Sequence, residues 1–151
     1  MASVHEYPVT VQWSGGKDGS GSVRTESGHV SQDLAVPTEF GGPGGATNPE
    51  ELLTSAITSC YSITFGIIAA NRKLPVASFE CAAVGEVEQS GAQFTYKAIT
   101  LRPRILLEAG SSDEQAAMAE DMAHKADSYC IVTNAVRGKV EIRVEPSVSK
   151  A

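Results

Sequence analysis

Asn48-Pro49-Glu50-Glu51-Leu52-Leu53-Thr54-Ser55-Ala56-Ile57-Thr58-Ser59-Cys60-Tyr61-Ser62-Ile63-Thr64-Phe65-Gly66-Ile67-Ile68-Ala69-Ala70-Asn71 is the stretch that organises this chain. Its start carries a full set of helix signals. Asn48 can cap, Pro49 suits the first helical position with its fixed φ, and Glu51 lies where a capping box would close. Glu50 and Glu51 also meet the positive end of the helix dipole. No residue from 52 to 71 is charged, which predicts a long helix ended by Pro75. Apolar spacing through Leu53, Ile57, Cys60, Thr64 and Ile67 predicts its inward face. Beside it Ser55, Ser59, Ser62 and Gly66 form a small-residue stripe that another helix could approach closely. About twenty apolar residues could also span a bilayer. The hydroxyls of Thr54, Ser55, Thr58, Ser59, Ser62 and Thr64 favour a buried core helix instead, and no membrane partner is expected.

Upstream, residues 7–13 alternate bulky and polar side chains and read as a half-buried strand. A glycine-rich loop over 14–21 leads to short strands at 22–26 and 34–36, and the run Gly41–Gly45 carries the chain into the helix. Downstream, residues 79–88 and 94–107 read as long antiparallel strands joined through Gln89-Ser90-Gly91-Ala92. Pro103 cannot donate to a ladder, so it should mark an edge or a bulge. Ser112-x-x-Gln115 opens a second helix with Met118 and Met122 on one side, and residues 134–138 make a last helical turn stopped by glycine. Residues 140–144 are the final strand, and the tail after Pro146 should fray. The order βββ-α-ββ-α-β is α+β with an antiparallel sheet. With 151 residues at 42% hydrophobic, one domain over 1–151 is expected.

A net charge of −6, with no basic run longer than Arg72-Lys73, gives no handle on nucleic acid or anionic lipid. The opening MASVHEYPVT has no signal-peptide pattern, so a cytoplasmic protein with reduced cysteines is expected. No pair of cysteines is spaced C-x-x-C, and His5, His29 and His124 are isolated, so neither a metal ion nor a cofactor is expected. His124 precedes Cys130 without the orienting group or oxyanion motif of a hydrolytic pair. The glycine run lacks a phosphate-loop pattern, and Glu50 and Glu51 already occupy the helix start.

Cys60 lies at the midpoint of the uncharged stretch. A thiol of pKa about 8.5 is only about 3% thiolate at pH 7, and lowering it to roughly 6 takes about 3 kcal/mol. Mid-helix, the dipole contributes little and desolvation acts in the wrong direction. Cys60 is therefore inert packing unless a cation or a strong hydrogen-bond donor stands beside it. Cys81 falls in the inward register of a strand with no cationic neighbour and reads as a structural thiol. Cys130 follows a helix, with Lys125 and Arg137 close in sequence, and stays open to both readings.

Gly44-Gly45-Ala46-Thr47-Asn48-Pro49-Glu50-Glu51-Leu52-Leu53 followed by Ser59-Cys60-Tyr61-Ser62 resembles the signature of the OsmC/Ohr family of thiol peroxidases (osmotically inducible protein C and organic hydroperoxide resistance protein). Cys130 with Asn134-Ala135-Val136-Arg137-Gly138 resembles its second-cysteine segment, and Thr25-Glu26-Ser27-Gly28 is closer to the OsmC branch. The resemblance implies an intertwined homodimer with two equivalent sites at the subunit interface. There Cys60 attacks a small-molecule peroxide, an organic hydroperoxide or hydrogen peroxide, and becomes a sulfenic acid. Cys130 resolves it to a disulfide that a dithiol reductant resets. A supporting role is implied for Glu50. Ten helical residues rise about 15 Å, more than one side chain spans, so Glu50 could serve only the Cys60 of a partner chain. Relatives carry an arginine beside the thiolate, where this chain offers Lys17 in Gly15-Gly16-Lys17-Asp18-Gly19, or Glu39-Phe40; Arg24 is a further candidate. Lys17 supplies charge without a guanidinium's two-pronged contact. The usual proline after the second cysteine is Ile131 here, which implies weaker turnover or altered substrate choice. The competing reading is a non-enzymatic, stress-related dimer of the same fold holding an apolar ligand in its groove.

Overall fold

Short strands, the first two carrying Val9, Thr10, Val11, Val23 and Thr25, form the N-terminal unit of the computed structural model, which describes residues 1–151. β1 (Val9–Ser14), β2 (Ser20–Thr25) and β3 (Ser31–Leu34) pair antiparallel in chain order. The third strand ends before Ala35, whose amide leaves the sheet to bond the Thr47 carbonyl at 3.0 Å. This meander is thinly covered. Val23 and Ala35 are buried, while Val9, Val11 and Trp13 stay exposed.

α1 (Pro49–Asn71) begins as its sequence dictates. The Asn48 side chain accepts from the Glu51 amide at 2.9 Å. Glu51 accepts the Thr47 hydroxyl at 2.8 Å in place of the expected capping-box contact. The inward face differs from the expected one. Its buried stripe is Ile57, Tyr61, Phe65 and Ala69, while Ile67 is 56% exposed and Cys60 lies at the margin. The two aromatic rings explain the rotation, because they carry the largest apolar areas on the helix. The Tyr61 hydroxyl donates to the Ala123 carbonyl at 2.5 Å, and Phe65 stacks on Phe79 at 4.8 Å between centroids. By length and composition α1 could cross a membrane, but its aromatic stripe belongs to the protein core.

The second compact unit, Leu53–Ala151, centres on a hairpin of two long strands. β4 (Val76–Ser90) and β5 (Gln93–Leu107) pair antiparallel, turning at Gly91, whose φ is +63°. Gly85 lets α1 sit close: a Cβ there would stand 2.6 Å from the Thr54 hydroxyl, which bonds the Tyr96 hydroxyl at 2.7 Å. α2 (Asp113–Lys125) opens with the full Ser112–Gln115 capping box and buries Met122. Met118, expected beside it, is 38% exposed. α3 (Ile131–Val136) and the short strands β6 (Glu141–Val144) and β7 (Ser147–Lys150) complete the chain.

The α+β class is as expected, with two corrections. First, the larger sheet is mixed, because β6 and β7 both run parallel to β5. β5 is thus central, and Pro103 is neither at an edge nor at a bulge. It falls between Leu101, where pairing with β6 stops, and Arg104, where pairing with β7 starts, so its missing donor spoils no bond in either run. Second, the tail after Pro146 does not fray. It is β7, held by β5 and by Lys150 Nζ on Asp113 at 2.6 Å. Ile99, Leu101, Ile105 and Leu107 of β5 join Ile57, Tyr61 and Phe65 of α1 and Ala119, Met122 and Ala123 of α2 in one core.

Candidate active site

Cys60 faces the start of α3. After α2 the chain makes a helical turn over Ala126–Tyr129, and Cys130 becomes the cap of α3, its Sγ accepting from the Thr133 amide at 3.4 Å. The first amides of any helix have no partner within it. Here those of Ile131 and Val132 are directed at Cys60, as are the Thr64 hydroxyl, one turn along α1, and the Cys130 thiol. Burial pushes the Cys60 thiol up. The Cys130 thiol, the Val132 amide, the Thr64 hydroxyl and the Ile131 amide outweigh it and hold Cys60 below the usual cysteine range. Every one of these donors is uncharged.

Cys130 is the opposite case. It is fully buried, and burial first, then the neighbouring Cys60 sulfur, push its thiol above the ordinary value. The pair is therefore polarised: one partly open sulfur favoured as thiolate, and one closed sulfur kept as thiol to donate to it. Cys81 stands apart from this pair. It is packed against the core opposite Pro103, and burial pushes it up.

The segment carrying Cys130 is fastened by Arg137. Its Nε donates to the Asn134 side chain at 2.9 Å and a terminal nitrogen to the Asp127 carbonyl at 2.9 Å, with the Asp127 carboxylate 3.4 Å away. The Asn134 amide group in turn donates to the Ser128 carbonyl at 3.1 Å. These contacts close the loop from 127 to 137 around the buried sulfur. Outside Cys60 lies a groove of about 750 Å³, walled by Ile63, Ile67, Ile68, Tyr129 and Ile131 and ending at Asn71 and Arg72. Ile131 is 82% exposed.

The other expected site residues belong to the N-terminal unit. Glu50, in the first turn of α1, is half-buried and lines an apolar pocket of about 400 Å³ with Val11, Trp13, Leu34 and Phe40. Lys17 sits in the β1–β2 turn with its ammonium against Gly41, where a Cβ would stand 3.1 Å from Nζ. Arg24 is exposed on β2. The structure thus places Cys60 and Cys130 beside one another. Sequence reasoning missed Thr64 and the amides of Ile131 and Val132. A usable signal was there: Cys130 stands three residues before Thr133, the spacing at which a cap side chain meets an amide.

A polarised pair of thiols thus stands where α1 meets the start of α3, on an α+β scaffold. Residues 42–145 match the OsmC-like protein family. The uncharacterised protein YmaD of Bacillus subtilis is 33% identical over 144 residues, 95% of each chain. Peroxiredoxin OsmC of Escherichia coli is 26% identical, covering 86% of this chain and 89% of that one. Among solved structures, an organic hydroperoxide resistance protein OsmC from Legionella pneumophila superposes with a TM-score of 0.76 at 28% identity, over 96% of this chain and all of that one. The chain belongs to the OsmC/Ohr family.

Proposed function

We propose that the protein is a thiol-dependent peroxidase that reduces organic hydroperoxides, and also hydrogen peroxide. The observation that carries this reading is the placement of Cys60 beside Cys130, with Cys60 held below the usual cysteine range and Cys130 pushed above it. The Cys60 thiolate attacks the terminal peroxide oxygen and the O–O bond breaks. The departing alkoxide takes a proton and leaves as alcohol, and Cys60 becomes a sulfenic acid. The Cys130 sulfur then displaces hydroxide from the Cys60 sulfur, giving a disulfide and water. A dithiol supplies the two electrons that restore both thiols by exchange. A reducing compartment such as the cytoplasm would maintain that dithiol.

A homodimer completes the reading. Glu50 and Cys60 are too far apart on one straight helix to cooperate, so Glu50 of one protomer would serve Cys60 of its partner, with Lys17 or Arg24 as the candidate cation. The names of relatives, peroxiredoxin and organic hydroperoxide resistance protein, favour this chemistry. The test is peroxide-dependent dithiol consumption by the wild type, Cys60→Ser and Cys130→Ser. Turnover should vanish in the first variant and fall in the second. No consumption by the wild type would leave the ligand-binding reading, which the apolar groove beside Cys60 favours.

A further inference from the structure

Thr133 is sealed in the core at 0% exposure, and its hydroxyl makes no hydrogen bond to any group around it. Hydroxyls elsewhere in the helices behave otherwise. Thr58 and Ser62 on α1 each donate to the carbonyl four residues back, at 2.7 Å. The ordinary target of a side chain at the third position of a helix is the amide of the cap. For Thr133 that target is taken, because the Cys130 amide donates to the Asp127 carbonyl at 3.2 Å. A buried hydroxyl without a bond costs stability. What stands beside this one is the Cys130 sulfur. The Thr133 amide is 3.4 Å from that Sγ, and the side chain of the same residue adjoins it. Burial, then the Cys60 sulfur, keep Cys130 as thiol, while the side chain and amide of Thr133 act toward thiolate. A thiol sulfur is a weak acceptor, so the resting pair offers the hydroxyl little to bond. A thiolate is a strong one.

We propose that the Thr133 hydroxyl is held for the negative charge that Cys130 carries during turnover, and donates to that sulfur when it attacks oxidised Cys60 and when it leaves in the reductive step. The inference rests on the peroxidase reading for those two steps, but not for the contact between hydroxyl and sulfur. In the first step the Cys130 sulfur bonds to the Cys60 sulfur, and the S–O bond of the sulfenic acid breaks. The departing hydroxide takes the proton that Cys130 gives up and leaves as water. Thr133 keeps its own proton and supplies only a hydrogen bond, strongest where Cys130 is most negative. In the second step a thiolate of the dithiol attacks Cys60, the S–S bond breaks, and its electron pair goes to Cys130. That sulfur is then a thiolate inside a closed core, with the Thr133 hydroxyl and amide as donors, until it takes up a proton. The second thiol of the reductant displaces Cys60 and leaves the reductant as a disulfide. A donor engaged only in the charged states speeds the chemistry without tightening the resting fold.

Thr133→Val removes the hydroxyl and Thr133→Ser keeps it. Both are first placed in the Cys60→Ser protein, where no peroxide chemistry operates, and the Cβ resonance of isotopically labelled Cys130 is followed against pH. Cys60 is the titratable group that acts on this sulfur, so its replacement leaves Thr133 as the variable. Thr133→Val should move the midpoint to higher pH, and Thr133→Ser should leave it in place. With Cys60 present, mass spectrometry of quenched samples then follows the sulfenic acid to the disulfide after one equivalent of cumene hydroperoxide. Thr133→Val should slow that conversion on the order of tenfold, the weight of one hydrogen bond to a charged group. Formation of the sulfenic acid should keep its rate, and Thr133→Ser should resolve like the wild type. The urea midpoint of Thr133→Val should equal or exceed that of the wild type, because an unbonded buried hydroxyl has gone. A titration or a resolution rate that valine leaves unmoved, or that serine fails to restore, would overturn the proposal. A urea midpoint lowered by valine would make the hydroxyl a packing group and overturn it too. A titration that responds as expected, in a protein that reduces no peroxide, would uphold the contact and refute the peroxidase reading.

Discussion

Ile131 shows what one residue contributes to this site. The family pattern that the sequence resembles often has proline there, and from sequence alone its replacement implies weaker turnover or altered substrate choice. Proline has no amide hydrogen, whereas the Ile131 amide is one of the donors that hold Cys60 down. Ile131→Pro removes that donor while suiting the first position of α3, and Thr64→Val removes another. Alkylation by iodoacetamide follows the thiolate, so its rate at Cys60 rises with pH through the Cys60 pKa. The wild-type midpoint should lie below that of an ordinary cysteine, and each variant should move it to higher pH. An unmoved midpoint in both would contradict the donor assignment. Cys60 was legible because it is the one thiol in a long uncharged helix. Its amide donors were not, since backbone amides leave no mark in a sequence and these come from about seventy positions away.

Elements follow the same division between local and distant causes. The starts of α1 and α2 were legible because their caps are contacts within four residues, Asn48 with Glu51 and Ser112 with Gln115. The inward face of α1 was misjudged because spacing counts Cys60 and Ile67 as equal to Tyr61 and Phe65. Packing does not, since Tyr61 reaches Ala123 and Phe65 reaches Phe79. β7 escaped because four residues after a proline carry little signal, and what orders them is the edge of β5 left open beyond Pro103. Deleting residues 147–151 removes that ladder, the packing of Val148 and the Lys150–Asp113 pair. We expect a loss of about 2–4 kcal/mol, read as a lower urea midpoint. A midpoint equal to the wild type would show β7 to be ornamental.

At the scale of the whole molecule, the exposed apolar surface is the unsettled account. Val9, Val11 and Trp13 of β1 and Ile63 and Ile67 of α1 are uncovered in a single chain, apolar surface of the kind a second copy can cover. Light scattering should give twice the chain mass at micromolar concentration, and Val9→Glu with Val11→Glu should lower it toward that of one chain. A wild-type monomer would defeat the proposed sharing of Glu50 between protomers. Mixing Glu50→Ala with Cys60→Ser subunits, each inactive alone, should restore part of the activity if each site borrows from both chains. The central claim is the couple between Cys60 and Cys130, and intact mass after one equivalent of cumene hydroperoxide tests it most directly. The account predicts loss of two hydrogens and a peptide joining Cys60 to Cys130. An oxygen retained on Cys60 with Cys130 still alkylatable, or no change in mass, would contradict it.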